Sequence, residues 1–378
     1  MRKKVVIVAH ALIASDGKAV YGTGSSLESY LEGKDVDYLL VKHPIFGAFP
    51  TQVSGRINNG PFFYKLERSN SQILPLKTLQ EMIITFKLIK KYFSGVDIYL
   101  GIDPLNALFG ILIKKINRID SIIFYTADYA VKRFDNIFLN FFYHFTDRFV
   151  IKLANEVWNV SSRIAALRLK QGVDRQRNFF VPNSPFFHKI KRLTVDQINK
   201  HEMVLVSTSP KSTDFSLIFQ AIRILTHKYP DIRLKIIGLA NWQETFSHEI
   251  DRLAINKNIV FHSRMPHKKL LNIFCRAAVG LALYTNQYSW TYFSDSMKAR
   301  DYLACGLPVI MTDISSTAKD IRKSGAGLVI RLGKNDLVQA IDKLFSSHKY
   351  YRKLRINALN LAEKNDIGMI LNSRLRLL

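Results

Sequence analysis

The chain has 378 residues, of which 48% are hydrophobic and 22% charged, and a formal net charge of +25. That length suits two domains rather than one core, and the composition excludes a disordered chain. Cys275 and Cys305, the only cysteines, stand in different segments and suggest neither a disulfide framework nor a zinc site.

The charge calls for an anionic partner: nucleic acid, an acidic membrane surface or a phosphorylated substrate. It is spread out, with 26 Lys+Arg against 15 Asp+Glu in residues 1–190 and 29 against 15 in the remainder. No basic tail carries it. Basic residues border apolar or aromatic runs at 84–93, 108–118 and 138–152. Such runs suit the headgroup layer of an anionic bilayer, and read equally as core helices with solvated lysines. The longest uncharged apolar run, near Leu105–Ile113, is far short of the roughly 20 residues a spanning helix needs.

The opening MRKKVVIVAH looks like a signal n-region, but Asp16, Gly17 and Lys18 interrupt it and no small-residue cleavage site follows. It reads better as a buried first strand, VVIVAH (5–10), and the chain as cytoplasmic. Helix SSLESYLEG and strand DYLLVKH (37–43) follow. The pattern continues with helix LKTLQEMIITFKLIKKYF, strand 97–103, helix 104–118, strand SIIFYTAD (121–128), a helix from about Asn136 to Ala154, strand 156–161, helix RIAALRLKQG and FFVPNSP (179–185). Strands alternating with crossover helices indicate a parallel, doubly wound sheet. The polar stretch 188–202 has no clear buried face and reads as an inter-domain connection. The alternation then restarts at MVLVSTS and runs through RLKIIGL, NIVFHSRM, VGLALY, LPVIMTD and AGLVI. The fold class is therefore α/β, with two Rossmann-like domains over 1–190 and 200–345 and a helical segment over 346–378.

SDSMKARDYLACGLPVIMTD (294–313) carries the chemistry. Ser294, Ser296 and Lys298 stand at or just before a helix start, where unpaired N–H groups and the helix dipole favour an anion. Hydroxyls and an ammonium there can share two phosphates without a metal. Asp301 lies one turn after Lys298, placed to orient it or to bind a ribose. A capped helix with an ordinary ion pair between Lys298 and Asp301 needs the same residues.

Lys298-Ala-Arg-Asp301-Tyr-Leu-Ala-Cys-Gly-Leu-Pro resembles the donor-binding motif of GT-B glycosyltransferases of the family-4 kind. The order of RLKIIG, VFHSRMP, LALY and GAGLVI around it is similar too, and the resemblance covers most of 203–345. A closer likeness is to glucuronosyltransferases of the xanthan-pathway kind, which also have Asp-Ser-x-Met-Lys before Gly-Leu-Pro. The resemblance implies a GT-B fold with an acceptor-binding and a nucleotide-sugar-binding domain across a cleft. It implies donor roles for Asp295, Met297, Lys298 and Asp301, base stacking for Met265, and a UDP- or GDP-type sugar as co-substrate with no other cofactor. One departure stands out: Phe293 replaces the first of two glutamates that retaining family-4 enzymes carry eight positions apart.

In FYTADYAVKRF (124–134), Asp128 follows a strand and suits the base that takes the acceptor hydroxyl proton, or else caps the next helix. Arg133 and Lys132 stand ready to neutralise donor phosphate or are simply solvated. Gly22 and Gly24 permit close backbone approach at a helix entry, His10 ends the first strand, and both sites are candidates for acceptor or sugar contacts. Ser209 and Lys211 follow the first strand of the second half, where relatives bind phosphate; Asn183 and Ser184 lie near the hinge. No obvious Asp-x-Asp metal motif stands out, so the expected site holds no metal.

These residues point to sugar transfer from a nucleotide-diphosphate sugar to a glycan or lipid-linked acceptor in cell-surface polysaccharide synthesis, peripheral on the inner face of the cytoplasmic membrane. A sugar-nucleotide epimerase of the same fold is one alternative. A basic nucleic-acid-binding protein is the other, but no helix-turn-helix, RNP or zinc signature supports it, so no nucleic acid partner is expected.

Overall fold

The computed structural model describes residues 2–377 apart from 15, 47–48, 59, 68–73 and 287–288. The chain divides into two units. One runs to Pro182 and regains the chain from Ile370 on, and the other is Asn183–Met369.

The first unit holds β1 (Lys3–Ala11), β2 (Val36–Pro44), β3 (Thr51–Arg56), β4 (Phe63–Glu67), β5 (Val96–Ile102), β6 (Ile119–Thr126), β7 (Glu156–Asn159) and β8 (Asn178–Phe180). They form one sheet in the order β4-β3-β2-β1-β5-β6-β7-β8. The pairs from β2 through β8 by way of β1 are parallel, whereas β3 and β4 add antiparallel at the edge. This hairpin was not foreseen. Thr-Gln-Val-Ser-Gly-Arg has one strongly apolar residue and a glycine, so its period carries little signal. The opening residues do form a buried central strand: Val5, Val6, Ile7 and Val8 are buried, as a strand covered on both faces requires.

The second unit holds β9 (Glu202–Val206), β10 (Arg233–Ile237), β11 (Ile259–His262), β12 (Val279–Ala282), β13 (Val309–Thr312) and β14 (Gly327–Ile330). All pairs are parallel, in the order β11-β10-β9-β12-β13-β14. This is the doubly wound Rossmann order.

The stretch 188–202, read as a connection, belongs to the second unit. It packs there through the buried Ile198, with Leu193 and Val195 beside it, and Arg192 donates to the carbonyls of Phe187 and Ala304, each at 2.6 Å. The helices after 345 do not form a segment apart. Helix His348–Lys364 buries Tyr351, Leu354, Arg355, Ala358 and Ala362 in the second unit, whereas Leu371 and Leu375 belong to the first. The alanines and the arginine hid that stripe from a count of large apolar residues.

Candidate functional site

In the second unit β9 and β12 are neighbours, and the strand order runs outward from them in both directions. At such a switch point a crevice opens beyond the carboxyl ends of the strands, and ligands of open α/β sheets bind there. Helix Met297–Ala304 starts at this end.

Its position follows from small residues. A Cβ at Gly280 of β12 would collide with the Tyr302 ring, so glycine lets the helix lie on the strand. The Val206 N–H then donates to the Tyr302 hydroxyl (3.0 Å). At the far end Gly306 has φ +82°, a left-handed turn that glycine adopts without strain, and the Leu307 N–H returns to the Tyr302 carbonyl (2.9 Å). At the near end Ser296 caps the helix by accepting from the Ala299 N–H (3.3 Å), and its hydroxyl lies 2.7 Å from that of Tyr284.

Lys298 points to the switch point. Its ammonium donates to the Val206 carbonyl at the end of β9 (2.9 Å) and lies 4.5 Å from the centre of the Tyr284 ring, just beyond β12. One residue of β9 thus has both backbone groups bound by the same helix. Burial lowers the Lys298 pKa from 10.5 to about 8. The ion pair with Asp301 allowed by the sequence is not formed: Asp301 Oδ2 lies 2.8 Å from His267 Nε2. Burial raises the Asp301 pKa, and His267 pulls it partly back. Among the described residues the partly buried ammonium of Lys298 therefore has no carboxylate partner. A cation held away from water needs an opposite charge, and the N–H donors not used on Val206 are available to an anion.

The other candidates in this unit divide into two kinds. Asp295 is committed inward. It accepts from Arg300 (2.8 Å), from Thr317 (2.9 Å) and from the Asn183 N–H (2.9 Å), and Arg300 also binds Asp320 at 2.6 Å. This buried network fixes the loop before the helix. Ser294 likewise donates to the Thr291 carbonyl (2.8 Å), and its own carbonyl accepts from Ser315 (3.0 Å). Met297 and Met265 are partly buried, and Met265 packs against the cluster that contains Tyr302. Ser209 caps the short turn Pro210–Ser212, and Lys211 is exposed. Tyr284, His267 and the Val206 carbonyl were missed from the sequence. Only Tyr284, in an aromatic-bearing loop after a strand, offered a signal.

In the first unit β1 and β5 take the same central place. His10, near the end of β1, lies 2.7 Å from Asp103 Oδ2 through Nδ1 and 3.2 Å from Glu81 Oε2 through Nε2. Burial opposes its charge, but Asp103 and Glu81 outweigh burial and raise the pKa from 6.5 to about 10. His10 is thus an imidazolium at neutral pH, fit to bind or orient and not to take a proton. Asp103 has φ +79° and caps helix Pro104–Ile113 through the Asn106 N–H (3.0 Å). A non-glycine residue so held is strained, a condition found often at functional sites. Asp103 announced itself as a cap by preceding Pro104; nothing marked Glu81.

Asp128 lies two residues beyond β6, is 42% exposed, and is ion-paired with Arg133. It does not cap the following helix, whose cap is Asn136. Gly22 has an extended backbone at the entry of helix Thr23–Leu31, and Gly24 packs on Ala9, Leu40 and Ile102.

Residues 197–361 match the family described as glycosyl transferases group 1. The match covers most of the second unit, Asn183–Met369. A chitobiosyldiphosphodolichol beta-mannosyltransferase of Candida albicans is 24% identical over 216 residues, covering 55% of this chain and 46% of that protein. The chain thus spans about half the length of this curated relative. Among solved structures, a glycosyltransferase from Rickettsia africae has TM-score 0.69 at 15% identity over 99% of this chain and 97% of the other. HepE of Anabaena, solved in complex with UDP, has TM-score 0.68 at 12% identity over 99% and 98%. The chain has the GT-B fold, as its motif implied.

Proposed function

We infer that the protein transfers a hexosyl or glucuronosyl group from a nucleotide-diphosphate sugar, of UDP or GDP type, to a glycan or lipid-linked acceptor for surface polysaccharide. The observation that carries this reading is the Lys298 ammonium at the switch point of the second sheet, without a carboxylate partner among the described residues, at the start of a capped helix. The diphosphate supplies the missing negative charge. The matched family and the UDP complex of a protein of the same fold support such a donor. A relative named for a diphosphodolichol substrate supports a lipid-linked acceptor, met at an anionic membrane surface.

In the reaction the acceptor oxygen forms a bond to the anomeric carbon as the bond to the diphosphate breaks. The electron pair leaves with the diphosphate, which Lys298 and the helix N-terminus stabilise without a metal. The acceptor hydroxyl proton passes to Asp128, once that carboxylate parts from Arg133. Phe293, in place of the usual glutamate, favours inversion at the anomeric carbon. His10, held cationic by Asp103 and Glu81, orients sugar or acceptor hydroxyls.

Calorimetry with UDP, GDP, ADP and CMP, then with sugar conjugates and lipid-linked acceptors, tests the reading. Selective binding of one nucleoside diphosphate and transfer only with acceptor are expected. Failure to bind any of them, or an epimerised sugar nucleotide formed without acceptor, overturns it.

A further inference from the structure

We propose that the outward face of helix Ile137–Leu153 is a docking surface for an anionic lipid bilayer. This deepens the reading above, since a lipid-linked acceptor lies in such a surface.

The helix is firmly seated. Asn136 caps it by accepting from the N–H groups of Phe138 and Leu139, and it buries Asp147, Val150 and Ile151. Asp147 is fully buried and bound by Arg168 at 2.6 Å, and Arg168 also donates to Thr126 of β6 at 3.0 Å. A buried ion pair of this kind sets the rotation of the helix, because breaking it strands a charge. The opposite face is thereby held in solvent. It carries Phe138, Phe141, Phe142, Phe145 and Phe149, which are 72%, 63%, 61%, 58% and 41% exposed. Phe141, Phe145 and Phe149 stack in turn, with ring centres 6.1 and 6.5 Å apart. A soluble protein seldom leaves a contiguous apolar patch of this kind uncovered.

Charge selects the occupant. Arg148 and Lys152 lie exposed on the same helix and have no carboxylate partner among the described residues. The nearby acidic residue Asp135 is paired with Lys132 at 2.8 Å. Helix Pro104–Ile113, which packs beside this one, continues into Lys114, Lys115 and Ile116, all exposed. Aromatic rings with flanking cations match the interface of a bilayer with anionic headgroups. A second copy of a chain with net charge +25 is repelled instead. No helix among the described residues is long and apolar enough to cross the membrane, so the contact is with its surface.

Cosedimentation with vesicles tests this, comparing phosphatidylcholine alone with a mixture containing phosphatidylglycerol. The wild-type protein is expected to partition onto the anionic vesicles and to be released by salt. Phe141→Ser/Phe145→Ser and Arg148→Glu/Lys152→Glu each reduce that partition about tenfold or more. Their thermal midpoints and nucleotide-diphosphate affinities stay at the wild-type values. Equal binding of wild type to both vesicle types, or vesicle binding unchanged in both variants, overturns the proposal. So does a wild-type dimer that Phe141→Ser/Phe145→Ser converts to monomer, which makes the face a self-association surface. Absence of nucleotide binding with intact vesicle binding removes the transferase reading and leaves the docking surface standing.

Discussion

Lys298 sits on the Val206 carbonyl with a pKa lowered by burial to about 8. If its cation holds the diphosphate, Lys298→Ala weakens nucleoside diphosphate binding by roughly ten- to a hundredfold, the worth of a charge-assisted hydrogen bond. Binding to the wild type also weakens as pH rises through about 8, because the free enzyme loses the proton there; titration calorimetry across that range gives both results. Asp128→Asn keeps the shape and removes the proton acceptor, so transfer falls by about 10²–10⁴ while donor affinity changes little. Single-turnover assays with anomeric analysis of the product separate the two. His10 has the opposite sign of shift to Lys298. Its pKa is raised to about 10, so its stabilisation is full below its unfolded value of about 6.5 and is lost as pH passes through about 10. The thermal midpoint of the wild type is expected to fall over that interval, and His10→Gln to flatten the fall. At this scale the sequence showed which residue types cluster near 298, but not their partners. Asp295 faces Arg300 and Thr317, and Asp301 faces His267, because packing between segments up to 34 residues apart decided where each carboxylate turned.

Helix Met297–Ala304 depends on Gly280 as much as on its own residues. Gly280→Ala forces Tyr302 off β12 and is expected to cost about 1–3 kcal/mol, as overpacking does. Tyr302→Phe removes the acceptor of the Val206 N–H and costs about 1 kcal/mol. Both are read from denaturant midpoints, and Gly280→Ala also loosens diphosphate binding because Lys298 moves with the helix. Elements with a strong period were legible: the parallel strands and most crossover helices lie where the alternation put them. The β3–β4 hairpin and helix Thr317–Ser324 were not. The first is nearly devoid of apolar alternation, and Thr-Ala-Lys-Asp-Ile-Arg-Lys-Ser shows only Ala318 and Ile321 as its apolar face. Yet that polar helix supplies Thr317 and Asp320 to the network that fixes the loop ahead of Lys298.

On the scale of the molecule, the chain's last residues return to the first unit. Asn372 accepts from the Tyr30 hydroxyl (2.9 Å), and Leu371 and Leu375 are buried. A chain ended at Met369 is expected to lose hydrogen-exchange protection in helix Thr23–Leu31 while β9 keeps its own, because β9 belongs to the other unit. The sequence could not show this return. A short apolar segment at the end of a basic helical stretch bears no mark of the sheet it joins, and proximity along the chain argues for the neighbouring unit.

That return also sets an order of birth. Domains ordinarily fold as they leave the ribosome, the N-terminal one first. Here every strand of the N-terminal unit has been made by Phe180, but its closing helix is synthesised only after the whole of the second unit. The unit translated first is thus the one that must wait. Its apolar surface around Tyr30 stays open to chaperones while the whole of Asn183–Met369 is made, and the second unit is complete before its older neighbour.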